Sequence, residues 1–476
     1  MRENSGMRLD SGTDMTLRQQ IGWVARLSVP AILAEVTSIA MQYIDAAMVG
    51  SLGENASAAI GLVSSSTWLL GGLCLSLATG FSVQVAHLTG AGRDEDARDV
   101  LRQALMAAAA FGLLLALIGA ALSGPLPRAL GGAADVCPDA SRYFLIYALA
   151  LPAGQLRQLS GSMLQCSGDM RTPSLLNASM CALDVVFNAL FIFPTRQTAL
   201  FGLALTVPGA GLGVAGAALG TALAEYVTAL LMMGAVCFRS PRLRLGRGGS
   251  WRLRRTCVTA ALRVALPMAL EHSVLCSAQV ASTAIVAPLG TVAVAANSLA
   301  VTAESLCYMP GYGLAAAATT LVGQSLGAGR RDLSKRFAAI AVWMGVIIMG
   351  AAGLLMFLFA PQMFALLTPV EEVRALGASV LRIEAFAEPL FAVSIVAVGA
   401  MRGAGDTLVP SILNLVSMWG VRITASALLA PRFGLAGVWA AMCGELCVRG
   451  LLFLVRLLRG RWLDKNILLQ SEKQRL

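Results

Sequence analysis

The sequence predicts an all-α polytopic membrane protein of twelve transmembrane helices, arranged as two parallel-repeat six-helix bundles. Three observations carry that prediction. The first is composition: of 476 residues, 57% are apolar and 13% charged, against about 25% charged in a soluble domain. The second is distribution. The apolar residues fall in runs of roughly 20–25, long enough to cross a bilayer as helix and too long and too rich in Ala and Leu for barrel strands. The third is an internal repeat. Shifted by 237 residues, Pro30 meets Pro267, Gln42 meets Gln279, Gly53 meets Gly290, Pro152 meets Pro389 and Asn177 meets Asn414. Gly90-Ala-Gly-Arg93 likewise meets Gly327-Ala-Gly-Arg330, and Asp169 meets Asp406. A later gap of 16 aligns Gly213 and Gly216 with Gly434 and Gly437.

The apolar runs place helices at roughly 27–50, 57–80, 99–123, 140–165, 172–195, 211–238, 260–287, 294–318, 336–360, 377–401, 409–430 and 436–458. The chain then divides into an N-terminal segment 1–26, a first lobe 27–238, a basic linker 239–259, a second lobe 260–458 and a tail 459–476. Each repeat holds an even number of helices, so both enter the membrane from the same side. They are related by an axis along the membrane normal and enclose a central cleft between halves that can rock.

Charge orients the chain. With the N-terminus inside, about 27 of the 36 Lys and Arg lie in cytoplasmic segments, and about five lie outside. Both termini are therefore expected in the cytoplasm, with the basic stretch Arg239 to Arg255 beside anionic lipid. Residues 1–22 contain no apolar core and the first run, near Leu27, is full length, so a cleavable leader is not expected. The net charge of +10 marks topology, not nucleic-acid binding. The ten Cys are scattered and read as small core residues. With only His87 and His272, a His-rich metal site is excluded. No Walker A sequence is present, so ATP hydrolysis is not the expected energy source.

Charges are costly inside a membrane, roughly 2.5–3.5 kcal/mol each at the centre. Nine acids fall inside the apolar runs: Glu35, Asp45, Asp184, Glu225, Glu271, Glu304, Glu384, Glu388 and Glu445. Four bases accompany them: Arg157, Arg382, Arg422 and Arg449. Acids outnumber bases, so an interior cavity favours cations. On the first helix, Glu35, Ser38, Gln42 and Asp45 fall within about 80° of arc. On the fifth, Ser174, Asn177, Cys181, Asp184 and Asn188 do the same. Carboxylate, amide and hydroxyl oxygens suit a hard cation such as Na⁺, and carboxylates held out of water can carry protons. A buried polar network between helices is the alternative. On the fourth helix Gln155, Gln158, Ser162 and Gln165 share a face that serves helix packing as well as ligand contact. Glu271 and Glu304 are candidates of the second half. Glu384 and Glu388 stand one turn apart and need a partner, for which Arg422 is available and water is the alternative.

Several motifs read as structure. Gly211-Leu-Gly213-Val-Ala-Gly216 matches a dinucleotide fingerprint but follows no strand, so its glycines serve close helix packing. The two Gly-Ala-Gly-Arg segments read as short cytoplasmic turns. Asp169 and Asp406 read as helix N-caps.

With these residues in place, the chain resembles the multidrug and toxic compound extrusion (MATE) family over about residues 26–458. The matching stretches are Tyr43-Ile-Asp45-Ala-Ala-Met-Val-Gly50, Glu304-Ser-Leu-Cys-Tyr-Met-Pro-Gly-Tyr-Gly313 with the following Ala-Thr-Thr-Leu-Val-Gly-Gln-Ser-Leu-Gly-Ala-Gly-Arg330, and Arg402-Gly-Ala-Gly-Asp-Thr407. The resemblance implies a secondary antiporter, not an enzyme. It would export cationic or amphiphilic drugs in exchange for Na⁺ or H⁺, with no cofactor beyond that coupling ion. It implies a cation site, a possible Na⁺ site, of Asp45, Asp184, Asn188 and Thr221. The order of Asp184 and Asn188 is reversed relative to the family. Asn297 stands where relatives often carry His. Gln42, Asn177, Glu271, Gln279 and Glu304 are the expected substrate-cavity residues. The expected protein is a monomer in the inner (plasma) membrane that meets lipid and small cations. The alternative is a lipid-linked precursor flippase of the same superfamily, for which more helices and a basic cavity would be expected.

Overall fold

The computed structural model describes residues 15–200, 203–246, 248–249 and 251–465. Much of the predicted N-terminal segment (1–14) and tail (466–476) lies outside the described residues. The first lobe holds α1 (Leu17–Gly50), α2 (Glu54–Gly90), α3 (Asp94–Leu122), α4 (Cys137–Cys166), α5 (Arg171–Phe191) and α6 (Gly213–Gly234, continued by a wide turn Ala235–Arg239). The second holds α7 (Arg255–Val286), α8 (Thr291–Gly327), α9 (Arg331–Leu367) and α10, whose pieces Glu371–Glu384 and Glu388–Ala404 are bent by 59°. It closes with α11 (408–433, with a wide turn at Val416–Ile423) and α12 (435–459). One helical stretch, Thr424–Arg459, becomes two crossings because Gly434 has φ 59° and ψ −141°. That conformation is open to glycine and strained for other residues.

Among the described residues, twelve helical crossings therefore stand in two bundles, and the bundles pack alike. In the first lobe α2 packs on α3 and α4, α6 on α4 and α5, and α1 on α5. In the second, α8 packs on α9 and α10, α12 on α10 and α11, and α7 on α11. Between lobes, α1 packs on α8 and α7 on α2, the reciprocal pairing that a two-fold axis requires. Left-handed glycines recur at matched positions: Gly53 with Gly290 (φ 112° and 99°), Gly92 with Gly329 (70° and 75°), and Gly213 with Gly434 (58° and 59°). The last pair needs the gap of 16. The extra first-lobe residues form an antiparallel hairpin, β1 (Pro194–Leu200) and β2 (Leu203–Ala210). No strand was expected there.

Helix ends depart most from the expected bounds. α1 starts ten residues early because Thr16 and Gln19 form a reciprocal cap: Gln19 N donates to Thr16 Oγ1 (3.4 Å) and Thr16 N to Gln19 Oε1 (2.9 Å). α2 and α8 run to Gly90 and Gly327, past the apolar windows that marked them. Hydropathy detects only the crossing part of a helix. The linker packs against α3: Arg254 N donates to Gln103 Oε1 (2.8 Å), and Arg254 pairs with Asp99 (3.4 Å).

Those extensions close one end of the cleft. The Gly90 and Gly327 ends of α2 and α8 cross at backbone contact. Two side chains tie the lobes beside that crossing. His87 Nε2 of α2 lies 2.8 Å from the Gly403 carbonyl of α10, and Gln324 Nε2 of α8 donates to the Cys166 carbonyl of α4 at 2.8 Å. His87 and Gln324 are 237 residues apart, as are Cys166 and Gly403, so one latch occurs twice. His87→Gln should preserve this end, because an amide serves at the matched position. His87→Ala leaves a buried carbonyl without its donor, at about 1–3 kcal/mol, and should favour the state with this end open about fivefold or more. Spin-label distances across the end read the shift; equal distributions for the two variants would contradict the latch.

Candidate cation site and transport chambers

The polar stripes of α1 and α5 meet. Asn188, 1% exposed, donates its Nδ2 to Asp45 Oδ1 (2.9 Å) and to Asp184 Oδ2 (3.0 Å). Asp184 is fully buried, and Thr221 of α6 places its hydroxyl beside it. Close approach of α5 and α6 makes this possible: a Cβ on Gly220 would lie 2.1 Å from Asn188 Oδ1. Asp184 Oδ1 and Asn188 Oδ1 are buried without a hydrogen-bond partner. If both carboxylates are ionised, the cluster holds two negative charges bridged by one neutral amide. A proton or a small hard cation relieves that imbalance, and the unpartnered oxygens are the atoms that fit one.

The cluster opens on a chamber of about 700 Å³ on the first-lobe side of the cleft, away from the latched end. Gln42, Asp45, Asn188 and Thr221 line it, with Trp68, Tyr143, Tyr147 and His272. Trp68 is 56% exposed and meets His272 of the other lobe edge-on at 5.9 Å. Aromatic faces beside a carboxylate suit organic cations, and the volume falls in the range of small-molecule sites.

Other predicted residues lie elsewhere. Asn177 lines a separate cavity and accepts a hydrogen bond from Arg157 (3.3 Å). Gln279 is exposed on α7, outside the lining of the chambers described. Glu271 is buried between α7 and α11, where Ser411 Oγ (2.9 Å), Asn414 Nδ2 (2.5 Å) and Arg402 (3.5 Å) surround its carboxylate. Its hydrogen-bonding capacity is used within the lobe. Glu304 is buried in the second lobe in the company of Arg422 and Arg449. Glu384, Glu388 and Glu445 are buried in the same lobe, where Arg449 Nε lies 3.1 Å from Glu445.

The motif readings also resolve. Asp169 lies one residue before the N-cap position of α5, Met170, and accepts from Thr172 N (3.1 Å) in the first turn. Asp406 instead pairs with Arg456 of α12, a partner 50 residues away that local spacing cannot reveal. Gly216 gives close helix packing, since a Cβ there would lie 2.4 Å from the Phe191 carbonyl. Asn297 accepts from the Trp439 indole at 3.0 Å. The pairing of Arg157 with Glu225 was not foreseen: Nε to Oε2 is 2.6 Å and NH2 to Oε1 is 3.1 Å. Both stood out as intramembrane charges, but 68 residues, with α5 among them, separate the two.

Residues 30–190 and 267–428, the two repeats, each match the family model described as MatE. Similar curated proteins include the "Probable multidrug resistance protein NorM" of Pseudomonas aeruginosa, 29% identical over 444 residues (89% of this chain, 86% of that one). The protein of the same description from Idiomarina loihiensis is 28% identical over 447 residues (92% and 93%). Among solved structures, an outward-facing multidrug resistance MATE family transporter of the MOP superfamily aligns with a TM-score of 0.85 at 22% identity, covering 95% of this chain and 100% of that one. A MOP superfamily transporter from Pyrococcus furiosus, described as having a binding pocket of reverse polarity that suggests a different function, aligns equally well at 21% identity (94% and 97%). At such identities the likeness is one of fold.

Proposed function

The chain belongs to the MatE family of membrane transporters, and on that premise we propose that it is a secondary antiporter exporting organic cations in exchange for Na⁺ or H⁺. The single observation that carries the proposal is the Asp45–Asn188–Asp184 bridge on the wall of the outer chamber. Asp45 lies on α1, which contacts the second lobe through α8, while Asp184 lies on α5 inside the first lobe. An ion between them changes how α1 sits on α5, and so changes the lobe interface. A cargo cation in the chamber is drawn by the same carboxylates. Ion and cargo then have different affinities for the two states of the cleft, which is what antiport requires. The lobes pivot about the α1–α8 and α7–α2 contacts, opening the two ends alternately.

The same reading places the protein in the inner (plasma) membrane with both termini cytoplasmic, the latched end inside and the 700 Å³ chamber facing out. The flippase reading is less favoured: twelve helices and a chamber whose lining carries the Asp45 carboxylate and no Lys or Arg argue against it, as does the similarity to multidrug resistance proteins.

Coupling predicts a reciprocal effect on binding. Fluorescence anisotropy of ethidium on the purified protein should show cargo affinity falling as Na⁺ or H⁺ is raised, about 5–150-fold at saturation. Asp184→Asn should remove that dependence, and Thr221→Ala should weaken it less, because only a neutral ligand is lost. Ethidium affinity independent of both ions would exclude exchange at this site.

A further inference from the structure

A second cavity, of about 220 Å³, lies between the lobes on the latched side of the cleft. Its polar lining includes Glu35 of α1, Arg157, Gln158 and Gln165 of α4, Tyr312 of α8 and Arg402 of α10. The charges in this wall do not balance. Arg157 is held by both oxygens of Glu225 (2.6 and 3.1 Å). Arg402 is paired with Glu271 (3.5 Å). Glu35 makes no ion pair or side-chain hydrogen bond among the described residues. Two cations share the cavity with it, yet each is committed to another acid, and one net negative charge is left over.

Glu35 is half-buried and lines the cavity without a partner from the protein, so its carboxylate is accessible there to a cation from outside the chain, and an unpaired charge at membrane depth favours one. We infer that Glu35 is the counter-charge of a second, inner cation site that receives the positive head of an organic monocation. The charge count admits one positive charge. The Gln158 and Gln165 amides offer oxygens to N–H groups, and the Tyr312 ring offers an aromatic face. The volume is below the roughly 300 Å³ of the smallest drug-sized pockets, so the charged edge of the cation enters while the rest of the molecule extends into the cleft. Glu35 and Asp45 lie ten residues apart on α1, about 15 Å along its axis, with one facing each chamber. Glu35 is then the carboxylate that cargo meets when the latched end opens, and Asp45 the one it passes on leaving.

This assignment rests on the antiporter reading for its place in the cycle but not for its test. Ethidium binding to the purified protein is measured for wild type, Glu35→Gln, Glu35→Asp and Glu35→Gln in an Asp45→Asn background. Glu35→Gln should weaken binding about tenfold or more in either background, while Glu35→Asp, which keeps the charge, stays within about threefold of wild type. Na⁺ or proton release at Asp45 should be unchanged in Glu35→Gln. Wild-type ethidium affinity in folded Glu35→Gln protein overturns the assignment, as does equal loss in Glu35→Gln and Glu35→Asp. If wild type binds ethidium through Glu35 but moves none under an ion gradient, the antiporter reading fails and this site stands. If gradient-driven export proceeds and Glu35→Gln binds normally, the reverse holds.

Discussion

Asp45→Asn is expected to abolish gradient-driven export while leaving the protein folded and inserted. The amide is nearly isosteric with the carboxylate, and Asn188 can still donate to its oxygen, so the packing of α1 on α5 survives. The charge does not survive. Without it Asp184 alone faces the amide, and neither a proton nor Na⁺ finds two carboxylates to bridge. Export driven by an imposed gradient should fall about a hundredfold, the upper part of the usual range of coupling between sites. Downhill exchange of dye across the same membrane should persist, because the lobes still move. Gradient-driven export by folded Asp45→Asn protein would move attention to the second-lobe acids Glu304, Glu384 and Glu388.

Gly327→Val should be as damaging by a different route. A Cβ at Gly327 would lie 1.9 Å from the His87 carbonyl oxygen, and one at Gly90 would lie 1.9 Å from the Gln324 carbonyl oxygen. The obstacle is backbone of the opposite helix, which cannot rotate aside, so α2 and α8 must separate. The protein should insert with this end held open and should export little dye. A cysteine at Ser325, fully buried in the crossing, should react with maleimide in Gly327→Val and not in wild type, in a background with the native thiols removed. An unreactive Ser325→Cys with normal export would show that the closed crossing is not part of the cycle.

The crossing also marks how far sequence reasoning reached. Gly90-Ala-Gly-Arg93 and Gly327-Ala-Gly-Arg330 were legible as a repeated turn, but that the two turns cap helices that touch each other was not. Repetition reports that two segments share a conformation; it does not say that they meet. The twelve crossings and the parallel lobes were legible because apolar length and an ungapped shift are properties of the chain itself. The Asp45 and Asp184 stripes were legible as faces, because helical period places polar residues on one side. Their meeting through Asn188 followed only from the family resemblance. Glu271 shows the limit of the same logic. It was grouped with the cavity because intramembrane acids stand out, yet Ser411 and Asn414 enclose it within the lobe. The hairpin Pro194–Ala210 fell in the repeat's gap, where no partner segment could report on it.

The central claim, that an ion gradient drives organic cations out through the first-lobe site, is tested most directly in proteoliposomes. Efflux of ethidium is followed while Na⁺ and pH gradients are imposed one at a time. The account predicts ethidium movement against its own gradient with at least one of the two ions, in the direction opposite to ion flow, with dissipation of that gradient stopping it. Ethidium movement that only ever follows its own concentration gradient, whatever the Na⁺ or pH difference, would contradict it.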